Sequence, residues 1–139
     1  MSQPDLQLYR ARVLHFLQDP AEHSTAWEYF DDGVLVVEGG YVKAAGAAEE
    51  LLKKYHEPVQ YFPDHLIIPG FVDCHIHYPQ TEMIAAYGEQ LLSWLNNYTF
   101  PAELKFSDSQ YAESVAKFFM DELMRNGTTT TQVFDSVHA

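Results

Sequence analysis

The stretch from Pro69 to Gln80, PGFVDCHIHYPQ, sets an aspartate and two histidines on alternate positions, Asp73, His75 and His77, after the apolar run LIIPGFV. Residues two apart on a β-strand share a face, with Cα atoms about 6.6 Å apart. Imidazoles at 75 and 77 therefore reach toward one point from a strand end, an arrangement suited to gripping a divalent cation. Zinc is the first expectation, since imidazole suits it and it needs no redox partner; iron or another divalent ion is the alternative. Asp73 shares the histidines' parity and either supports a ligand from behind or fills the interior. Cys74 and Ile76 point the other way, toward covering helices. A His-x-His pair also arises by chance in a chain with 7 histidines. The buried-looking strand before it, the Pro-Gly break and the polar residues after it weigh toward a metal site.

Such a pair needs elements to hold it. Before it the chain reads as short strands: LQLYRARVLHFL (Leu6 to Leu17) partly alternates, and GVLVVEGGYVKAAG (Gly33 to Gly46) forms two β-rich runs around Gly39-Gly40, a hairpin signal. Ala47 to His56 reads as a short helix in which Glu49 and Glu50 meet Lys53 and Lys54. Prolines 58, 63 and 69 divide the following strand region into pieces suited to edges and turns.

After the pair the pattern turns helical. Met83 to Phe100 carries Leu91, Leu92, Trp94 and Leu95 at helix-like positions. SDSQYAESVAKFFMDELMRNG is the strongest helix signal, with Ser107 or Asp108 to cap it. Its expected buried stripe is Ala112, Val115, Phe118, Phe119, Leu123 and Met124, and Gly127 sits where a left-handed C-cap belongs. Thr128 to Val137 then reads as a strand. Strand, helix and strand make one βαβ unit, so a parallel sheet is expected to start near Leu66. Two parallel strands want further neighbours, so the chain reads as the beginning of a larger α/β protein.

The 139 residues carry 20 Asp+Glu against 8 Lys+Arg, a formal charge of −12. A surface this acidic repels phosphate backbones and anionic membranes, which argues against nucleic acid and membrane partners and leaves a neutral small molecule as ligand. The single cysteine excludes an internal disulfide and fits a reducing cytoplasm. No window approaches the roughly 18 apolar residues of a membrane span.

PGFVDCHIHYPQ resembles the first-strand motif of the amidohydrolase superfamily, Pro-Gly-Phe-x-Asp-x-His-x-His. HIHYPQTEM, AYGEQLLSWLNNYTFPAE and RNGTTTTQVF together resemble its guanine deaminase branch, and the likeness covers most of Arg10 to His138. LLSWLNNYTFPAE is the specific block; the His-x-His motif and NGTTT are shared by many relatives. Cys74 stands where family members often carry threonine. The resemblance implies that His75 and His77 are metal ligands, completed by a histidine and an aspartate from later strands, and that the Gln80 amide contacts a purine. It also implies a pocket lined by His77, Tyr78, Pro79 and Gln80 and walled by Trp94, Leu95 and the YTFPAE segment. The implied reaction is hydrolytic deamination of guanine to xanthine and ammonia, by a homodimer in the full-length enzyme.

The implied fold is α/β: residues 1–68 form the N-terminal part of a composite β-sandwich domain. Residues 69–139 then form the first two β/α units of a (β/α)8 metal-dependent hydrolase barrel. No catalytic proton shuttle is assigned within the chain; Glu82, Glu89 and Glu103 are its nearest carboxylates, none at a position the family uses. The 139 residues alone are expected to be inactive, with exposed strand edges and apolar helix faces that pair copies together. Two rival readings stand beside this one. The chain is a partial metal-binding or oligomerising module, or the enzyme acts on another nucleobase. Gln80 otherwise caps the start of a helix, and Trp94 and Tyr98 otherwise belong to the core. His138 is either a barrel-top residue or a terminal one, Asp135 has no assigned role, and His15, His23, His56 and His65 have no assigned chemistry.

Overall fold

The structure, a computed structural model, describes residues 5–88 and 90–136. Two compact units divide the chain, Met1–Pro69 and Gly70–Ala139.

The first unit is a four-stranded sheet of β1 (Leu6–Phe16), β2 (Trp27–Glu38), β3 (Tyr41–Ala47) and β4 (Val59–Ile67), in the order β3-β2-β1-β4. β1 pairs antiparallel with β2 and parallel with β4. The β2–β3 hairpin turns on Gly39 and Gly40, both at positive φ (58° and 86°), as a two-residue turn between right-twisting strands demands. Leu8, Val34 and Val36 bury one sheet face against Ala48 and Leu51 of the helix α1 (Ala48–Leu51). That helix is one turn long, shorter than the ten residues the sequence pattern suggests. Its N-cap, Ala47, has no side-chain acceptor, and Leu51 is its last buried residue. Glu49 still meets Lys53 at 3.2 Å. Pro63 lies inside β4 rather than ending it. β4 is an edge strand, and its register against β1 shifts between Arg10 and Arg12, so the proline sits where the ladder is already interrupted.

The second unit opens with β5 (Phe71–His77), which pairs parallel with β6 (Thr128–Phe134). Between them lie a 3₁₀ turn (Tyr78–Met83), α2 (Leu91–Trp94), a π-turn (Leu95–Thr99), α3 (Phe100–Glu103), a second 3₁₀ turn (Leu104–Ser107) and α4 (Ser109–Arg125). The region from Met83 to Phe100, which reads as one helix, is thus in pieces. Ala85 takes a left-handed φ of 66°, Gln90 is extended, and Pro101 has no N–H to offer the preceding turn, which widens.

α4 forms where the sequence pattern places it. Asp108 caps it, its carboxylate accepting from the backbone N–H groups of Gln110 and Tyr111 at 2.9 and 3.3 Å. Asp108→Ala is expected to lower the stability of this unit by about 1 kcal/mol, read as a shifted midpoint in urea denaturation. At the other end Gly127 takes φ 82° and donates its N–H to the Met124 carbonyl. The Gly127 carbonyl in turn accepts from the Phe71 N–H at 2.8 Å, which starts the β5–β6 pairing. Only part of the expected stripe is buried. Val115 and Phe119 are inside, but Phe118 and Met124 are 55% and 62% exposed, because they flank the stripe and nothing in the described unit covers those flanks. The run leading to the histidines is likewise open, with Phe71 at 56% and Val72 at 64% exposure. Parallel strands are normally covered on both faces by helices, and among the described residues α4 is the one long helix packed beside this two-stranded sheet.

Candidate metal and ligand site

The last residues of β5 carry the chemistry. His75 and His77 project from one side of the strand, with their Nε2 atoms 3.1 Å apart and ring centroids 5.0 Å apart. Two nitrogens bound to one tetrahedral zinc at its usual bond length lie about 3.3 Å apart, so the rings sit close to the spacing that a shared cation requires. Without a cation the same spacing lets one Nε2–H donate to the other ring. The donor set fits a divalent ion, and these two residues would hold it. Among the described residues, no group of three His, Cys, Asp or Glu side chains is placed to hold a metal.

Asp73 acts on the backbone. The β5–β6 register shifts between Asp73 and Ile76, and the His75 N–H turns to the Asp73 carboxylate, at 3.0 Å. Cys74 is exposed. The end of β6 meets the end of β5. The Phe134 ring lies 4.5 Å from the His75 ring and 4.8 Å from the His77 ring, nearly parallel to the latter at 18°. Burial first, and then the Asp135 carboxylate, push the Tyr78 phenol above its ordinary pKa.

Beside the imidazoles opens a cavity of about 690 Å³, lined by His75, His77, Gln80 and Trp94 together with residues of the Ile84–Ala86 segment and of α4. The Gln80 amide reaches the Glu103 carboxylate at 3.5 Å. The other residues expected around the pocket lie elsewhere. Tyr78 packs its ring against Phe106 and Phe119, Pro79 is fully buried, and Leu95 belongs to the π-turn. Tyr98 is exposed. His138 and Glu89 lie outside the described residues. The cavity also takes in Phe118, Glu122 and Asn126, which the sequence reading assigned no site role. Their spacing of four residues, which puts one helix face on the cavity, was the signal that could have found them.

The rim is braced. The Trp94 indole donates to the Ala86 carbonyl at 3.2 Å, and a Cβ at Gly88 would fall 2.4 Å from the same indole, so the rim and the tryptophan are fitted to each other. Glu82 and Lys105 pair at 2.7 Å and tie the 3₁₀ turn after His77 to the segment before α4. Lys105, then the Tyr111 hydroxyl, hold the Glu82 carboxyl below its usual range, while Glu82 raises Lys105. A lowered carboxylate contributes stability above its unfolded pKa and loses it as the pH falls through the lowered value; a raised lysine loses its share as the pH climbs through the raised value. Glu82→Gln is therefore expected to flatten the acid limb of a plot of melting temperature against pH, by a small amount because the pair is exposed.

Residues 66–139 match the Amidohydrolase family. A guanine deaminase of Escherichia coli (strain K12) is 45% identical over 130 residues, which make up 91% of this chain and 29% of that protein. The crystal structure of guanine deaminase from Bradyrhizobium japonicum superposes with a TM-score of 0.88 at 39% identity, covering 96% of this chain and 30% of that one. A guanine deaminase from C. acetobutylicum with guanine bound in its active site superposes at 0.79 with 29% identity, covering 96% and 31%. The chain thus spans less than a third of the length of each of these relatives.

Proposed function

The chain belongs to the amidohydrolase family, and on that premise we propose that it is part of a guanine deaminase that converts guanine and water to xanthine and ammonia. The observation that carries the reading is the approach of the His75 and His77 Nε2 atoms to 3.1 Å beside a cavity holding the Gln80 amide. In this reading His75 and His77 hold one divalent ion, zinc first, with iron or another ion as the alternative. Once bound, such an ion supplies Lewis acidity that brings the pKa of a water toward neutrality. Gln80 offers its amide to the purine edge from the cavity wall, steadied by Glu103. Trp94 closes the wall and keeps bulk water from it. His77 lies where ion and substrate meet, and Tyr78, Pro79 and Leu95 support the wall from behind.

The parent fold in this reading is a (β/α)8 barrel whose first two strands are β5 and β6, preceded by part of a β-sandwich formed by residues 1–68. The enzyme is a cytoplasmic homodimer with no nucleic acid or membrane partner; the described residues form no helix long and apolar enough to cross a membrane. A catalytic zinc site takes three protein ligands and a water, and the described residues supply two, which favours the reading that these 139 residues bind an ion without turning over substrate.

The test uses the purified chain with zinc and guanine, and then with other aminopurines. Calorimetry is expected to show one bound ion per chain, and ultraviolet spectra no conversion to xanthine. The reading frame that includes the remaining ligands is expected to convert guanine in preference to other bases. Xanthine formed by the 139 residues alone overturns the inactive-fragment reading. A longer frame that prefers another base overturns the assignment of guanine.

A further inference from the structure

The two imidazoles could rotate freely about χ1 and χ2 unless something fixes them, and their strand does not. The ladder shifts register between Asp73 and Ile76, and the His75 N–H bonds the Asp73 carboxylate, which fixes the backbone there but not the rings. What does meet the rings is a side chain from the neighbouring strand. Phe134 stands opposite His77 in the parallel register and contacts both imidazoles, at 4.5 and 4.8 Å between centroids. The end of β6 thus meets the end of β5 at the rings themselves.

We propose that Phe134 is a positioning residue, a flat platform that holds the His75 and His77 rings at the convergence a shared cation needs. The proposal rests on the reading of those histidines as ligands. Ring–ring contact restricts imidazole rotation without offering a competing donor or acceptor, so Phe134 itself engages neither Nε2. An aliphatic side chain of similar bulk fills the space but has no plane to stack on. Groups around a metal's ligands commonly change affinity by roughly 10- to 100-fold when altered.

The experiment uses the chain with Co²⁺ as the probe, followed by its visible absorption, and compares wild type, Phe134→Leu, Phe134→Tyr and the double variant His75→Ala/His77→Ala. Phe134→Leu is expected to weaken Co²⁺ about 10- to 100-fold and Phe134→Tyr to restore most of the affinity. In metal-free protein, proton NMR should show a cross-peak between the His75 and His77 rings in wild type and Phe134→Tyr that fades in Phe134→Leu. If Phe134→Leu binds Co²⁺ like wild type, or keeps the cross-peak in full, the platform role is overturned. If the double histidine variant binds Co²⁺ as well as wild type, the ligand assignment fails instead, and the metal-free cross-peak still decides whether Phe134 orders the rings.

Discussion

Replacing either His75 or His77 with alanine is expected to reduce divalent-cation affinity by at least about 100-fold, since altering groups that merely support ligands already costs 10- to 100-fold. In the proposed reading the two rings act as a chelate. With both present, the second nitrogen binds within 3.1 Å of the first at no further cost in translational freedom. With one removed, a lone imidazole competes with water for the ion. Cys74→Ala supplies the control, because that side chain is exposed and precedes His75 by one residue, on the other parity of the strand. Calorimetric titration with Zn²⁺ separates the outcomes: both alanine variants lose binding and Cys74→Ala keeps it. Equal affinity in all three would remove the metal centre and, with it, the deaminase reading of this chain.

The second large effect concerns the glycine that precedes β5. A Cβ on Gly70 would lie 1.9 Å from the Thr129 Oγ1 and 2.4 Å from its Cγ2, closer than any real contact. Gly70→Ala must therefore push apart the two strands at the point where the Phe71 N–H meets the Gly127 carbonyl. Overpacking of this kind typically costs 1–3 kcal/mol, and a loss of about 3 kcal/mol is expected because the clash extends to the Thr129 Cβ, next to its backbone. Urea denaturation gives the measurement, with a rescue built in. Thr129→Ala should recover only part of the loss, since its Cβ still lies 2.7 Å away, whereas Thr129→Gly should recover more. No rescue by either would show that the glycine serves some other purpose.

Local signals were the most legible in the sequence. Gly39-Gly40 marked a hairpin, Ser107 or Asp108 a helix start (Asp108 is the cap) and Gly127 its end, because each acts through backbone conformation or hydrogen bonds within a few residues. The His-x-His pair was visible for the same reason, through strand parity. What stayed hidden depends on contacts distant in sequence. The helical spacing of Leu91, Leu92, Trp94 and Leu95 did not reveal the breaks around it, which follow from a left-handed Ala85 and an indole bonded to Ala86. Nor did the α4 pattern show that Phe118 and Met124 would stand open, since apolar character does not say which faces find a partner. Phe134 read only as one more strand residue; its place against the imidazoles comes from pairing across more than fifty residues of chain.

Asp73 has a consequence for anyone copying this motif into another protein. Its carboxylate takes the His75 amide that a regular ladder would claim, at the place where the strand departs from even pairing. Grafting histidine, any residue and histidine onto a regular, fully paired strand would carry over the composition and lose the shifted register. A transplant that keeps the aspartate two positions upstream, and a neighbouring strand free to slip by a residue, is the version expected to bring the rings together.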